Sequence, residues 1–499
     1  MNKAAFQPAD EIINDDSFDD ICDSVIIGAG MSGLAAGIRM SYYEKKVIII
    51  ERHSLPGGLN SFYRKNNINY DVGLHAVTNY SDNLHRFAPV SKLLRQLRLK
   101  KEDFDLHPQI CSQVSFPFGD IQFDSTPLSV CSSIKSLFPD QAGKLDSFIK
   151  IVMDFNELSM DHTFMSARDF LAAHFGKSSR IPDLFFCPLM YYGNANEEDM
   201  DFAQFVIMFK SIFVESFARP AKGVRKIIDV LLKKYRKNRG RIIFNNGVKR
   251  IIHKNNRIYG VELDDNKIIK CTNIFSSAGA AETMNLLKNN NLSDNKNVHN
   301  NKNIFENQIH TPGQIHTPGM MSFIEVILNL NIHPKDLGFN KTILFFNKKD
   351  NFTFKCPEEL VDYNSGVICC PDNFKFKSSF EHFSLRLTHI SSYAMWKAFD
   401  REEYIKTKAL VLKKCIDTIE SFIPGVKKHI IETDMFTPLT VKRFTGHING
   451  AVYGSPVKSR KGLTPYENLY IIGTDQGFLG IIGAMLSGVS MANMHGLKT

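Results

Sequence analysis

Three glycines and one acid near the N-terminus carry the plainest chemistry in this chain: Gly28, Gly30 and Gly33, with Glu51 eighteen positions after the last of them. A G-x-G-x-x-G turn reverses tightly, lets backbone approach a pyrophosphate, and seats a helix closely on a strand. Ser32 lies in the same turn, at the expected start of that helix, whose unpaired N–H groups and dipole attract an anion. Glu51, at the end of the following strand, suits hydrogen bonds from both hydroxyls of an adenosine ribose and would repel a 2′-phosphate. The pattern predicts a dinucleotide site. Two further residues could handle protons or charge: His75, because an imidazole titrates near neutral pH, and Arg443.

These groups need a strand, a turn, a helix and a second strand to position them. Ser24-Val25-Ile26-Ile27 and Val47-Ile48-Ile49-Ile50 read as buried strands, with a helical stretch between them. Residues 241–251, 259–263 and 273–279 read as further strands and turns. Near the other end, Asn468 to Thr474 reads as a short buried strand ending in the acid Asp475. Gly480-Ile481-Ile482-Gly483-Ala484 then opens a helix through Gly488, and the N–H groups at such a helix start favour negative charge. Asp475 argues against reading this apolar region as a membrane span, since an isolated carboxylate in lipid is costly.

Glu51 is followed by Arg52 and then by Pro56-Gly57-Gly58-Leu59-Asn60-Ser61. This paired glycine resembles the second pyrophosphate contact of the flavin-containing amine oxidase and carotenoid desaturase superfamily; a nicotinamide domain has no need of it. Asp71-Val72-Gly73-Leu74-His75, the stretch 437–446 and Asn449-Gly450-Ala451-Val452-Tyr453-Gly454 narrow the similarity. They resemble the carotenoid (phytoene) desaturase, carotenoid isomerase and retinol saturase group, with His75 similar to the retinol saturase form. The resemblance is weakest from about 285 to 435.

The resemblance implies an α/β fold: a discontinuous Rossmann-like FAD-binding domain over 20–90, 220–285 and 440–499, with an inserted α+β substrate-binding domain over 91–219 and 286–439. It implies FAD held by Gly28, Gly30, Ser32, Gly33, Glu51, Arg52, Gly58, Leu59 and Asn60, and by the Val248 backbone at the adenine. Asp475 would meet the ribityl or pyrophosphate part, and Ile482 and Gly483 at the helix start would face the isoalloxazine edge. The implied activity is that of an FAD-dependent oxidoreductase moving hydride between an apolar polyene, isoprenoid or lipid and flavin N5. His75 would handle a proton or sit near the ring, and Arg443 would stabilise charge. Desaturation, saturation and redox-neutral isomerisation all remain open. A single dinucleotide fingerprint leaves electrons to an external acceptor or donor such as a quinone or oxygen. A flavin amine or porphyrinogen oxidase, and a non-catalytic prenyl-lipid escort of the GDP-dissociation-inhibitor type, share the scaffold.

Composition frames these readings. The chain has 499 residues, enough for two domains, with 43% hydrophobic and 23% charged residues, as in ordinary globular folds. Its 39 Phe and 17 Met against one Trp suit either an adaptable apolar cavity or a Phe-rich core. The net charge is +9 although the first 23 residues hold seven acids and only Lys3, so the body is basic. That suits a phospholipid surface, peripherally, or a plain solvated exterior. No basic recognition helix accompanies the charge, so nucleic acid is not expected. Nine scattered cysteines without metal-ligand spacing predict reduced thiols, a cytoplasmic setting and no metal site. Residues 1–19 read as a flexible acidic lead-in without secretory character. Within 201–219, Phe202, Phe205, Val206, Phe209, Ile212 and Phe213 recur at helical spacing. They predict either a buried helix or one dipping into a membrane, stopped by Pro220. The tandem segments 308–313 and 314–319 read as a duplicated loop, with His310 and His316 solvated.

Overall fold

The computed structural model describes residues 21–66, 68–81, 88–157, 159, 162–288, 317–377 and 382–498. The lead-in over 1–19 and His310 and His316 lie outside these residues.

The apolar run Ile21–Ile27 forms a strand at the centre of a seven-stranded sheet. It is flanked in parallel by Val47–Ile50 on one side and by Ile268–Ser276 on the other. Arg241–Ile243 continues the sheet beyond Val47–Ile50, also in parallel. Strand Ile268–Ser276 is long enough to serve two partners. Its first half pairs antiparallel with Arg257–Leu263, and its last three residues pair parallel with Leu469–Ile471. Helix Met31–Ser41 leaves the first strand and helix Gly480–Met491 packs against it. Strand order therefore reverses around Ile21–Ile27, and ligands of open parallel sheets bind at the carboxyl ends of strands at such a point.

A second seven-stranded sheet is almost wholly antiparallel, in the order Ile430–Phe436, Phe323–Leu330, Phe383–Ile390, Ser365–Cys369, Ile343–Asn347, Ser112–Phe116 and Gly119–Phe123. Side chains alternate between faces of a strand, and Phe323–Leu330 uses both. Ile324, Val326 and Leu328 join the core beneath helix Arg401–Phe422, through Val411, Cys415 and Ile419, while Phe323 and Glu325 line a chamber on the opposite side. The hairpin Phe62–Lys65 and Ile68–Asp71 ties the sheets together: Tyr63 donates to Asp434 at 2.6 Å, and Asn329 donates to the Tyr70 hydroxyl at 2.7 Å.

The Phe-rich region is a packed core. Phe148 stands within 5.2–6.1 Å, centroid to centroid, of Phe175, Phe185, Phe205 and Phe209, at tilts expected of aromatic clusters. The expectation of a membrane-dipping helix in 201–219 is corrected here. Phe202, Phe205, Phe209 and Phe213 are each at most 2% exposed, so the apolar face is already buried against the domain's other helices. Pro220 does not stop the helix either. The α-helix Phe202–Phe209 widens into π-type turns over Lys210–Glu215 and ends there, and Pro220 closes the short strand Ala218–Pro220. Among the described residues no helix is long and apolar enough to cross a membrane. All nine cysteines are free thiols.

Candidate functional site

The glycine turn follows directly from the first strand. Gly28 has φ of +96°, a left-handed value that would strain any larger residue. A Cβ on Gly33 would stand 2.1 Å from the Gly28 carbonyl oxygen, so the helix can seat on the turn only with glycine there. The Gly57 N–H donates to the Ala29 carbonyl at 2.9 Å, bringing the second glycine pair alongside the first. Between them runs a groove of about 490 Å³. Gly28, Gly30, Ser32, Glu51, Arg52, Gly58, Leu59, Asn60 and Val248 all line it, while Gly33 packs behind.

Glu51 is held in place by the two N–H groups of Ala29 and His53, each donating at 2.9 Å to a different carboxylate oxygen. Each oxygen keeps a further lone-pair direction for ribose hydroxyls. Gly30 offers bare backbone, since a Cβ there would meet nothing within 4 Å. These features fit a dinucleotide of the FAD type: anion-accepting N–H groups at the head of helix Met31–Ser41, an anchored ribose acid, and a paired-glycine wall opposite.

The C-terminal contacts differ from expectation. Asp475 is 2% exposed and turned away from the groove. Its two oxygens accept from the Ala280 N–H at 2.6 Å and the Ser455 N–H at 2.7 Å, so it knits three chain segments together. Its neighbour Thr474 lines the groove. Ile482 and Gly483 likewise give way to Gly480, Ile481 and Ala484, because one helical turn presents residues three or four apart to the same side. Ile482 packs into the cofactor-side core.

Leu59, Asn60, Thr474 and Ala484 line both this groove and a second cavity of about 200 Å³, so the two spaces adjoin. The second chamber is walled by Tyr191, Tyr192, Phe323, Phe436 and Tyr453. His75 enters it with Nε2 at 3.2 Å from Glu325 and 3.3 Å from the Thr388 hydroxyl. Burial pushes the His75 pKa down from 6.5, and Glu325 partly opposes that. Burial acts to raise the Glu325 carboxyl, but Arg386 and His75 outweigh it and hold it below 4.5. Arg386 contacts Glu325 directly and also donates to the carbonyls of Val72 and Leu74, clamping the loop that carries His75. Arg219 braces the same loop through Asp71 at 2.5 Å and the His75 carbonyl at 2.9 Å.

Arg443 is not part of this assembly. It is exposed on helix Pro438–Thr445, its guanidinium lying 5.6 Å over the Phe444 ring, and it touches neither cavity; only its carbonyl is used, by Arg52. The assigned charge-stabilising role is therefore corrected. Glu325 and Arg386 were missed because they lie in the stretch without motifs, yet a single acid in the apolar run Phe323–Leu330 was a visible signal. Among the described residues no cluster of three or more His, Cys, Asp or Glu could hold a metal ion.

Fold and groove together define a Rossmann-like dinucleotide-binding architecture whose donors and ribose acid fit FAD. A family model described as an NAD(P)-binding Rossmann-like domain matches residues 26–94. The chain is 24% identical to a chloroplastic prolycopene isomerase of Daucus carota, over 94% of this chain and 79% of that protein. It is 18% identical to an all-trans-retinol 13,14-reductase of Danio rerio, over 95% of this chain and 85% of that one. Among solved structures, an oxidoreductase from Methanosarcina mazei shares the fold with a TM-score of 0.66 at 15% identity, over 94% of this chain and all of that one. The two sequence relatives are carotenoid- and retinoid-related proteins, the group anticipated from the motifs.

Proposed function

We propose that this protein binds FAD in the glycine-lined groove and uses it to reduce, desaturate or isomerise an apolar polyene or isoprenoid lipid in the aromatic chamber. One observation carries the reading: the dinucleotide groove adjoins, across Leu59, Asn60, Thr474 and Ala484, a chamber walled by aromatic rings and holding a buried imidazole–carboxylate pair. Bound FAD supplies the hydride acceptor or donor.

The chain's own residues do the rest. Glu51 fixes the adenosine ribose, and the N-terminus of helix Met31–Ser41 takes the pyrophosphate. The aromatic walls orient the chain and exclude water. His75, neutral near pH 7 because burial depresses it, is oriented through Nε2 by Glu325 and can take up a proton as a base. The division into a cofactor domain over 20–90, 220–285 and 440–499 and a substrate domain over 91–219 and 286–439 is part of this proposal, supported by which strands join which sheet. An external quinone or oxygen as electron partner, a cytoplasmic setting and peripheral contact between the basic body and phospholipid complete it.

Anaerobic incubation of the oxidised and of the dithionite-reduced flavoprotein with prolycopene and with all-trans-retinol, following flavin absorbance and product mass, tests the reading. Conversion of either polyene, with a gain or loss of two hydrogens or with unchanged mass and altered geometry, supports it. A flavin-loaded protein that leaves both untouched in either redox state, yet in air oxidises an amine with peroxide release, would refute it.

A further inference from the structure

The aromatic chamber, at about 200 Å³, falls below the roughly 300–1,000 Å³ usual for pockets that enclose a drug-sized ligand. A second cavity of about 400 Å³ lies immediately beyond it. The same four pieces of chain build both. Tyr191 and Tyr192 face the chamber and Gly193 and Asn194 the second cavity; Met208 faces the chamber and Gln204 and Ile207 the second cavity. Tyr453 and Ile481 face the chamber, and Val457 and Leu479 the second cavity. At the boundary Met208 lies against the Gly193 backbone, its sulfur 2.7 Å from where a Cβ on that glycine would stand. Methionine is flexible and adapts to irregular gaps, so this contact is a soft partition.

Among the described residues each cavity is lined by residues with unpartnered buried polar atoms, the Tyr192 hydroxyl at the chamber and two amide atoms at the second cavity. The side-chain amide nitrogen of Gln204 and the amide oxygen of Gln476 are both buried and, among the described residues, have no hydrogen-bond partner, and both residues line this space. Gln476 is 3% exposed and fixed by its own nitrogen, which donates to the Arg460 carbonyl at 2.6 Å. Buried polar groups in folded proteins are nearly always partnered, so an orphan donor and an orphan acceptor in one cavity call for a ligand able to do both. A hydroxyl does so. Lys458 adds a half-buried ammonium, bonded at 2.7 Å to the Tyr453 carbonyl and 3.8 Å from the Asp475 carboxylate.

We infer that this second cavity is the seat for an oxygenated, hydroxyl-bearing end of the substrate, whose hydrocarbon portion passes Met208 into the aromatic chamber. The inference rests on the proposed polyene chemistry and narrows its substrate class to polyene or isoprenoid alcohols. Gln204 and Gln476 bind the hydroxyl, and Met208 sets how far the chain reaches.

The test uses the flavin-loaded full chain and two probes: all-trans-retinol, and its deoxy hydrocarbon in which a methyl group replaces CH2OH. Binding is read by perturbation of the flavin spectrum and by retinoid fluorescence. The alcohol should bind the unaltered protein at least about tenfold more tightly than the hydrocarbon, as expected where a site built for a hydroxyl meets an analogue lacking one. In Gln204→Leu and Gln476→Leu that ratio should fall below about threefold, with hydrocarbon affinity and flavin content unchanged. Met208→Ala should tighten both probes and Met208→Trp should weaken both, which keeps the inference testable if either glutamine variant folds poorly. Equal binding of the two probes with turnover of the hydrocarbon would overturn the hydroxyl seat and leave the polyene reading standing. Binding of neither probe by yellow protein would overturn both.

Discussion

Replacing Glu325 with leucine strips the counter-charge from Arg386, whose side chain is 3% exposed, and should cost about 3–5 kcal/mol of folding stability. Glu325 is itself only 13% exposed, so solvent screening removes little of this. The bonds from Arg386 to the carbonyls of Val72 and Leu74 survive in that variant, but neutral carbonyls do not replace a carboxylate. Arg386→Met loses those bonds as well, leaving buried acceptors at about 1–3 kcal/mol each. In the double variant no uncompensated charge remains from the pair, so its cost should fall short of the sum of the singles by at least about 2 kcal/mol. Equilibrium urea unfolding of flavin-saturated protein, followed by circular dichroism, measures all four forms. Costs that add to within about 0.5 kcal/mol would refute the coupling and, with it, the view that Arg386 and Glu325 jointly hold the His75 loop. The pH dependence has a definite sign. Because the folded Glu325 carboxyl is held below 4.5, its contribution is complete above that pH and is lost as pH falls through the lower folded value. His75, pushed below 6.5 by burial, adds a second loss that begins below pH 6.5, where the unfolded chain takes up the proton first.

Gly33→Ala drives a methyl group to 2.1 Å from the Gly28 carbonyl oxygen, so the turn must open and the purified protein should be colourless; retained stoichiometric flavin would contradict the seating argument. His389 is fully buried, donates from Nδ1 to the Ser365 carbonyl at 2.7 Å, and is pushed down to about 4 by burial. Against 6.5 in the unfolded chain this amounts to about 3 kcal/mol lost between pH 6.5 and pH 4, and His389→Asn should flatten that limb of the stability profile measured by denaturation. Asp475→Leu leaves the Ala280 and Ser455 N–H groups unpaired, at about 1–3 kcal/mol each. It should lower the melting temperature more than it weakens flavin affinity in titration, whereas a direct flavin ligand would show the reverse.

The parts legible in the sequence are those where local backbone geometry and ligand chemistry coincide. Gly28, Gly33, Glu51 and the Gly57–Gly58 pair announce themselves because only glycine suits their conformations or clearances, and because one acid at one spacing meets one ribose. At the C-terminal end the residues lining the cavities stand next to the expected ones, for a different reason. Asp475 and Thr474 are adjacent, and which of them faces the groove is decided by a turn whose N–H partners, Ala280 and Ser455, come from distant segments. Helix Gly480–Met491 shows the same limit: its existence is plain from composition, but its rotation, which turns Gly480, Ile481 and Ala484 toward the chamber and Ile482 into the core, depends on the strand and helices packed against it. Arg443 was misjudged because charge near a motif is easily taken for function, whereas an exposed guanidinium over Phe444 is surface packing. The His75–Glu325–Arg386 assembly is the extreme case, since its members are 250 and 61 residues apart in sequence. Neither periodicity nor spacing connects them. What does is the antiparallel pairing of Phe323–Leu330 with Phe383–Ile390, which sets Glu325 opposite Thr388 and carries Arg386 into reach.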